Sequence, residues 1–370
     1  MRIGIDAREL IGKRTGVGRY LADLCTEWLH LPEAAGHCFV LYSPLTGRDP
    51  AVLGAPFRGS RAPAFEHRPV PGGRGTWWEQ VRLPPVTNRD ALDVFFAPAY
   101  SAPLRLRVPV VVTMHDVSFA AHPEWFAGRE GWRRCWLARH TARRARQVIT
   151  VSEFSRREIV NHLGTPGDRI RVVWSGVRPR TSRPDAERDP LVLYVGSIFN
   201  RRHIPELIRA FRLVADVIPD ARLAIVGDNR THPRQDPESL AAEARIRDRI
   251  AVMSYVSEDD LDNLYARARV FVFLSEYEGF GMTPLEALSA GVPVVAADTP
   301  VARELYGDAA QLVSPTAVDD IGAAVAALLG DAQARRRAQA RAARLLPRFS
   351  WERAARETLR LIEQAARVPA

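Results

Sequence analysis

Lysine is nearly absent from this chain. Lys13 is the only one, and arginine carries almost all of the positive charge. No Walker A sequence is present, which excludes a P-loop nucleotidase. Cys25, Cys38 and Cys135 are scattered and lack metal-ligand spacing, which excludes a disulfide scaffold or a zinc module. No apolar run reaches the roughly 18 residues that a membrane-spanning helix needs.

The amino-acid composition is typical of a globular protein. Of the 370 residues, 46% are hydrophobic and 26% are charged, and the length suits two domains, each with its own core. The N-terminus Met1–Asp6 has a strand pattern rather than that of a signal peptide, so we expect a cytoplasmic protein. The net charge is +9, to which residues 1–180 contribute +11 and residues 181–370 contribute −2, and this asymmetry predicts an anionic partner for the first half.

Short β-branched runs alternate with helical patterns along the whole chain, which predicts an α/β fold with parallel sheets. Residues 178–190 are polar, contain three prolines and have no periodicity, so they are predicted to form a linker. The predicted organisation is a first domain over 1–177, the linker, and a second domain over 191–350.

The segment 275–298 carries the strongest chemical signal. Glu278 lies on a Gly-Phe-Gly loop after a buried strand, and Glu286 follows eight residues later, just inside a helix that is predicted to begin near Thr283. A glycine loop at a helix N-terminus binds anions. Two carboxylates beside it suit a ligand with an anionic centre and hydroxyls at both ends, such as a nucleotide diphosphate sugar. Thr283 and Glu286 also fit a capping box, but capping does not require Glu278.

This stretch resembles the Glu-x7-Glu signature of the retaining glycosyltransferases of family 4. The resemblance implies the GT-B fold: two Rossmann-like domains with parallel sheets facing across a central cleft. The second domain would bind the nucleotide sugar and the first would bind the acceptor. A C-terminal helix over 351–367 would pack back on the first domain.

The resemblance also implies roles for individual residues. Glu286 would hold the ribose hydroxyls, Arg201 and Arg202 would clamp the diphosphate in place of the family's usual Arg-Lys pair, and Glu278 would orient the sugar. His115 would reach the sugar from the other domain. The implied catalytic set is His115, Glu278, Arg201 and Arg202. The implied donor-binding set is Glu286, Gly279, Phe280, Gly281, Met282, Thr283, Gly196, Ser197 and Val256.

Gly16, Gly18 and Asp116 are assigned to the acceptor side of the cleft on the same resemblance. Each of these assignments has a structural alternative. The two glycines of Arg14–Tyr20 could form a plain turn, a histidine at a strand end is often structural, and an arginine pair at a helix start could simply be solvated.

The family's front-face mechanism implies catalysis by fixed charges, and no side chain stands out as a covalent nucleophile. We expect no metal and no cofactor. The Asp-x-Asp sequence at Asp260 and Asp262 follows Ser257 in a helix-start pattern, which indicates capping rather than metal binding.

The donor, the acceptor and a possible membrane contact are predicted from the resemblance and from one basic helix. The resemblance favours GDP-mannose as donor and a saccharide or lipid-linked acceptor of surface polysaccharide synthesis. The basic helix over 125–146 carries Trp132 and Trp136, which predicts either contact with the inner face of the membrane or two core residues. The segment 67–88 is predicted to be a surface loop anchored by Trp77 and Trp78, or an acceptor-side loop.

Two alternatives to the transferase remain from the sequence. A GT-B nucleotide-sugar epimerase would share the fold, and a basic nucleic-acid-binding protein would explain the isoelectric point near 10.0. The second lacks a basic stripe with interleaved aromatics in a known module, so no nucleic-acid partner is predicted.

Overall fold

The computed structural model describes residues 1–12, 16–47, 53–54, 65–73 and 75–367. The chain divides into two compact units. The first comprises Met1–Gly176 together with the C-terminal segment from Phe349, and the second comprises Val177–Arg348.

The first unit is built on a seven-stranded parallel sheet in the order β3-β2-β1-β4-β5-β6-β7. Its strands are β1 (Arg2–Asp6), β2 (Cys38–Ser43), β3 (Phe65–Pro69), β4 (Val94–Ala97), β5 (Val110–Thr113), β6 (Gln147–Thr150) and β7 (Ile170–Val172). Nearly every residue of β1, β4 and β5 is buried, as expected for a sheet covered on both faces.

The helices of the first unit cover this sheet. They are α1 (Gly16–Trp28), α2 (Gly75–Trp77), α3 (Leu83–Thr87), α4 (Ser118–Ala121), α5 (Gly128–Arg144), α6 (Glu153–Leu163) and α14 (Trp351–Arg367). The C-terminal helix α14 packs on α1, and the indole Nε1 of Trp28 donates to the Ala355 carbonyl at 3.0 Å. The apolar face of α14, which includes Leu359 and Ile362, is buried there.

The second unit contains a six-stranded parallel sheet in the order β10-β9-β8-β11-β12-β13. Its strands are β8 (Leu191–Val195), β9 (Arg222–Val226), β10 (Ile250–Met253), β11 (Val270–Phe273), β12 (Val294–Ala297) and β13 (Ala310–Val313). Its helices are α7 (Ile204–Val217), α8 (Pro237–Glu243), α9 (Glu258–Arg267), α10 (Met282–Ser289), α11 (Pro300–Leu305), α12 (Val318–Gly330) and α13 (Ala332–Leu345).

Both sheets reverse their strand order at one point. The reversal lies between β1 and β4 in the first unit and between β8 and β11 in the second. Open α/β sheets bind ligands beyond the carboxyl ends of the strands at such a point. The loops after β8 and β11 are those that carry Arg201, Arg202 and Glu278.

Several short elements were missing from the sequence-based description. Strands β3, β10 and β13 and helices α2, α3, α4, α8 and α11 were not predicted. Gln311 interrupts the apolar run of β13, so this strand lacks the continuous apolar pattern of the central ones, whereas Ile250–Met253 of β10 are all apolar although partly exposed.

The segment 67–88 is largely ordered by helical structure. After β3, helix α2, a π-helical turn (Trp78–Arg82) and α3 follow one another. Trp78 is fully buried and its Nε1 donates to the Val70 carbonyl at 2.7 Å, whereas Trp77 is 64% exposed. The prediction of an irregular loop anchored by two tryptophans was therefore wrong, because a single indole anchors it.

The segment 178–190 is packed against the second unit rather than hanging free between domains. Arg188 is buried, and its Nη1 donates to the carbonyls of Tyr265 and Ala268 at 3.1 and 2.8 Å. Among the described residues, no helix combines the length and the apolar character required to cross a membrane.

Candidate active site

The glycine loop of the second unit has a geometry that only glycine tolerates at its last position. Gly281 has φ +78° and forms the N-cap of α10. A Cβ there would lie 2.0 Å from the hydroxyl oxygen of Tyr306, which donates to the Gly281 carbonyl at 3.0 Å. Tyr306 therefore supports the loop from behind, and burial raises its pKa well above the usual value.

Arg202 and Glu278 form a mostly buried ion pair beside this loop. The Arg202 Nη2 lies 2.8 Å from the Glu278 Oε1, and their side chains are 13% and 19% exposed. Ser275 donates from Oγ to the same oxygen at 2.8 Å. Burial alone lowers the pKa of Arg202, but Glu278 and Tyr194 outweigh it and raise that pKa, so the guanidinium stays charged.

The loop after β8 leaves room for this guanidinium. Gly196 has φ +148°, and a Cβ on it would lie 2.3 Å from the Arg202 Nη1. That nitrogen donates to the Ser197 carbonyl at 2.9 Å. Arg201 is arranged differently, because its guanidinium lies 4.3 Å from the centre of the Phe199 ring. The predicted arginine pair thus contains one residue fixed by an ion pair and one held over an aromatic ring.

Glu286 is the second carboxylate of the motif, and its environment is not that of a capping residue. Helix α10 begins at Met282, so Thr283 is not its N-cap and the capping-box alternative is wrong. The Glu286 side chain is 7% exposed, and its Oε2 accepts from the Tyr265 hydroxyl at 3.2 Å. The Arg180 Nη2 lies 3.4 Å from the same oxygen.

The remaining donor-side candidates lie around these groups. Phe280 and Gly279 are buried in the loop, whereas Met282 and Thr283 are half-buried at the start of α10. Val256 is half-buried in the turn before α9, where Ser257 caps the helix by accepting from the Asp260 backbone N–H at 3.1 Å. The helix-start interpretation of the Asp-x-Asp sequence is confirmed. Among the described residues, no cluster of three or more His, Cys, Asp or Glu could hold a metal ion.

In the first unit, His115 follows β5 and is fixed by neutral partners. Its Nε2 lies 2.9 Å from the Pro98 carbonyl, which can only accept, so this nitrogen carries the proton. The ring meets Tyr20 edge to face, with 4.7 Å between centroids. Burial lowers the pKa of His115, so its ring is neutral near pH 7 and its Nδ1 is an acceptor.

Asp116 and the two glycines complete the predicted first-unit set. Asp116 accepts from the Tyr100 hydroxyl at 3.2 Å and from the Ser118 backbone N–H at 2.9 Å. Gly16 begins α1, and a Cβ on it would meet no atom within 4 Å, while Gly18 is buried in the first turn. Arg14 and Thr15 of the same motif lie outside the described residues.

Comparison with known proteins identifies the family. Residues 14–181 match the family model Glycosyltransferase Family 4, and residues 179–345 match the model Glycosyl transferases group 1. The chain is 32% identical to the O-antigen chain mannosyltransferase B of Escherichia coli over 285 residues, which are 73% of this chain and 74% of that protein. The chain belongs to glycosyltransferase family 4. It is a hexosyltransferase, as the sequence predicted.

Further relatives agree with this glycosyltransferase assignment. The MMP α-(1→4)-mannosyltransferase of Mycolicibacterium hassiacum is 28% identical over 72% of this chain and 68% of its own. Among solved structures, HepE of Anabaena in complex with UDP and glucose superposes with a TM-score of 0.75 at 19% identity, covering 98% of this chain and 100% of that one. The lipopolysaccharide glycosyltransferase WaaG superposes with a TM-score of 0.72 at 18% identity, covering 98% and 99%. The predicted GT-B fold is confirmed.

The structure of this glycosyltransferase groups the predicted donor residues within the second unit and places His115 and Asp116 in the first. Three residues that hold the predicted donor-side groups in place were not predicted from the sequence, namely Arg180, Tyr265 and Tyr306. Tyr306 lies 25 residues beyond Gly281, and Arg180 lies in a segment predicted as a linker, so no local spacing marks either residue.

Proposed function

We propose that this glycosyltransferase transfers mannose from GDP-mannose to a saccharide or lipid-linked acceptor of surface polysaccharide synthesis, with retention of configuration and without a metal. Two relatives described above carry mannosyltransferase names, one of them for the O-antigen chain. These names support the sugar and the class of acceptor.

The Arg202–Glu278 pair at the strand-order reversal is the observation that best supports a donor site at this position. The Arg202 guanidinium, held by Glu278 at the carboxyl ends of β8 and β11, places charged N–H donors where a diphosphate would bind. In this role Arg201 and Arg202 stabilise the charge that develops on the departing diphosphate, which is the work that a metal ion does in other transferases. The N-terminus of α10 adds its free backbone N–H groups.

In this proposal, each of the remaining groups binds a different part of the donor. Glu286 accepts from the ribose hydroxyls, Glu278 and the Gly279–Gly281 loop orient the mannose, and His115 offers its neutral Nδ1 to a sugar hydroxyl. The departing phosphate accepts the proton of the acceptor hydroxyl on the same face, so no protein nucleophile is required.

Thermal shifts test the donor and the metal together. The purified protein is heated with GDP, UDP, ADP or dTDP, each in EDTA, and a nucleotide at about 100 times its dissociation constant stabilises by roughly 2.7 kcal/mol. We expect a clear shift with GDP alone. A shift with another base would replace GDP-mannose, and a shift that appears only with magnesium would contradict metal independence. NMR of the anomeric proton in the product tests retention.

We also propose that helix α5 lies on an anionic membrane surface. Trp132 and Trp136 are 68% and 41% exposed on this helix, so the alternative that places them in the core is wrong. Arg129 and Arg133 lie beside Trp132 around a shallow depression that also includes Gly128. Exposed indoles next to arginines suit the headgroup region of anionic lipids.

Co-sedimentation with vesicles tests this contact. The wild type is expected to bind vesicles of anionic lipid and not those of neutral lipid, and Trp132→Ser/Trp136→Ser is expected to weaken binding by about tenfold. Trp77→Ser is the control, because Trp77 is about as exposed as Trp132 but lies outside α5. Equal loss in the control variant would show that α5 is not the contact.

A further inference from the structure

Arg180 lies at the centre of a cluster of three carboxylates in the second unit. Its side chain is 10% exposed. The Nη1 lies 2.7 Å from the Asp262 Oδ1 and 3.0 Å from the Glu258 Oε2, and the Nη2 lies 3.4 Å from the Glu286 Oε2. One guanidinium therefore connects the start of α9 with the carboxylate on α10.

The backbone around Arg180 is attached to the same helix as Glu286. The Arg180 N–H donates to the Ser289 Oγ at 3.2 Å, and the Ser289 hydroxyl donates to the Glu286 carbonyl at 2.8 Å. Tyr265 completes the arrangement, because its hydroxyl donates to the Glu286 Oε2 and the Arg180 guanidinium lies 5.4 Å from its ring centre. The contacts to the Glu286 carboxylate thus come from two distant parts of the chain, the segment before β8 and helix α9.

The charges explain why this arrangement depends on Arg180. Burial alone lowers the pKa of Arg180, but Glu286, Asp262 and Glu258 outweigh it and raise that pKa, so the cation persists. Without it, the buried Glu286 carboxylate would lose its cation, and the more exposed Asp262 and Glu258 would add negative charge nearby. Removing one partner of such a site is costly, because the other charges lose their compensation.

We propose that Arg180 is a positioning residue that orients Glu286 toward the ribose of the donor. The inference rests on the proposed role of Glu286 in binding the ribose hydroxyls. It makes the selectivity for ribose depend on a residue that lies about 100 positions before the Glu-x7-Glu motif, in the segment predicted as a linker. The guanidinium suits this task because it directs two separate nitrogens at fixed angles, which an ammonium group does not do.

The test compares binding of a nucleoside diphosphate with and without its ribose hydroxyls. The probes are GDP and 2′,3′-dideoxy-GDP, or the corresponding pair for whichever base stabilises the wild type. We expect the wild type to prefer the ribonucleotide by about tenfold, since hydroxyls bonded to a carboxylate are lost in the analogue. In Arg180→Ala this preference falls to about twofold or less, and in Arg180→Lys it is intermediate.

Arg183→Ala is the matched control from the same segment. Its Nη2 lies 3.4 Å from the Asn263 Oδ1 at the surface, so its removal should leave the preference unchanged. Equal weakening of both nucleotides in Arg180→Ala, with the preference intact, would indicate a general structural role and overturn the inference. Where Arg180→Ala does not fold, Arg180→Lys carries the test, because it keeps the positive charge but cannot direct two nitrogens at Glu286 and Asp262, and it should lower the preference.

Glu286→Ala separates this inference from the proposed function. If this variant keeps the wild-type preference, Glu286 does not bind the ribose and the proposed donor site is wrong. If Glu286→Ala loses the preference and Arg180→Ala (or Arg180→Lys, where Arg180→Ala does not fold) retains it, the donor site stands and the positioning role of Arg180 is refuted.

Discussion

The two units fix their candidate site residues by different physical means. In the second unit, buried charges are balanced against one another: Arg202 with Glu278, and Arg180 with Glu286. In the first unit, His115 is held by a backbone carbonyl and two aromatic rings. Fixed charges match an anionic ligand such as a diphosphate, whereas neutral groups match the hydroxyls of a sugar. The candidate residues of the second unit are therefore held by charge balance, whereas His115 of the first unit is held by packing and a hydrogen bond to the backbone.

The largest expected effect breaks the charge balance of the second unit. Arg202→Ala removes the cation that is paired with Glu278, and we expect it to weaken binding of GDP by about 100-fold, because charge-assisted bonds to a diphosphate are lost. Isothermal titration calorimetry in EDTA measures the change. Arg209→Ala is the control, since Arg209 is 59% exposed and pairs only with Glu206 on the surface of α7. Unchanged affinity in Arg202→Ala would remove this residue from the donor site.

A smaller effect, on the free energy of unfolding, is expected from substituting Gly281 in the glycine loop beside those charges. Gly281→Ala places a methyl group against the Tyr306 hydroxyl and also forces alanine into a left-handed conformation. Gly307→Ala has only the second problem, because a Cβ there meets no atom within 4 Å at φ +52°. We expect Gly281→Ala to lower the free energy of unfolding by about 2 kcal/mol more than Gly307→Ala does. Urea denaturation measures both, and equal losses would show that the loop yields to the added methyl group.

The smallest expected effect is the contribution of His115 to the pH dependence of stability. Since burial lowers the pKa of His115 in the folded state, its contribution to stability is present above the pKa of the unfolded chain and is lost as the pH falls. The wild type should therefore lose more stability than His115→Gln between pH 7 and pH 5, by less than about 1.4 kcal/mol per pH unit. Urea denaturation across this range gives the difference. Parallel curves would mean that His115 takes up no proton on unfolding.

The central strands and the donor motif were predictable because their signals are local. The apolar run 94–97 predicts a strand and the pattern over 153–163 predicts a helix, and β4 and α6 occupy these residues, because four consecutive buried residues and the Ser152 N-cap depend on neighbouring positions alone. The loop between β11 and α10 was located correctly for the same reason. The edge strand β13 escaped prediction because Gln311 interrupts its apolar run, whereas β10 is apolar throughout and its omission has no such cause.

The α/β class and the position of the Glu-x7-Glu motif follow from periodicity and spacing over a few dozen residues, and the two-domain organisation follows from the length of the chain. By contrast, tertiary contacts determine that Glu286 accepts from Tyr265 and pairs with Arg180 rather than capping its helix. They also determine that Trp78 is buried while Trp77 is exposed. These outcomes depend on which distant segments pack together, and the burial of charge and of apolar surface that selects such contacts has no signature in local sequence.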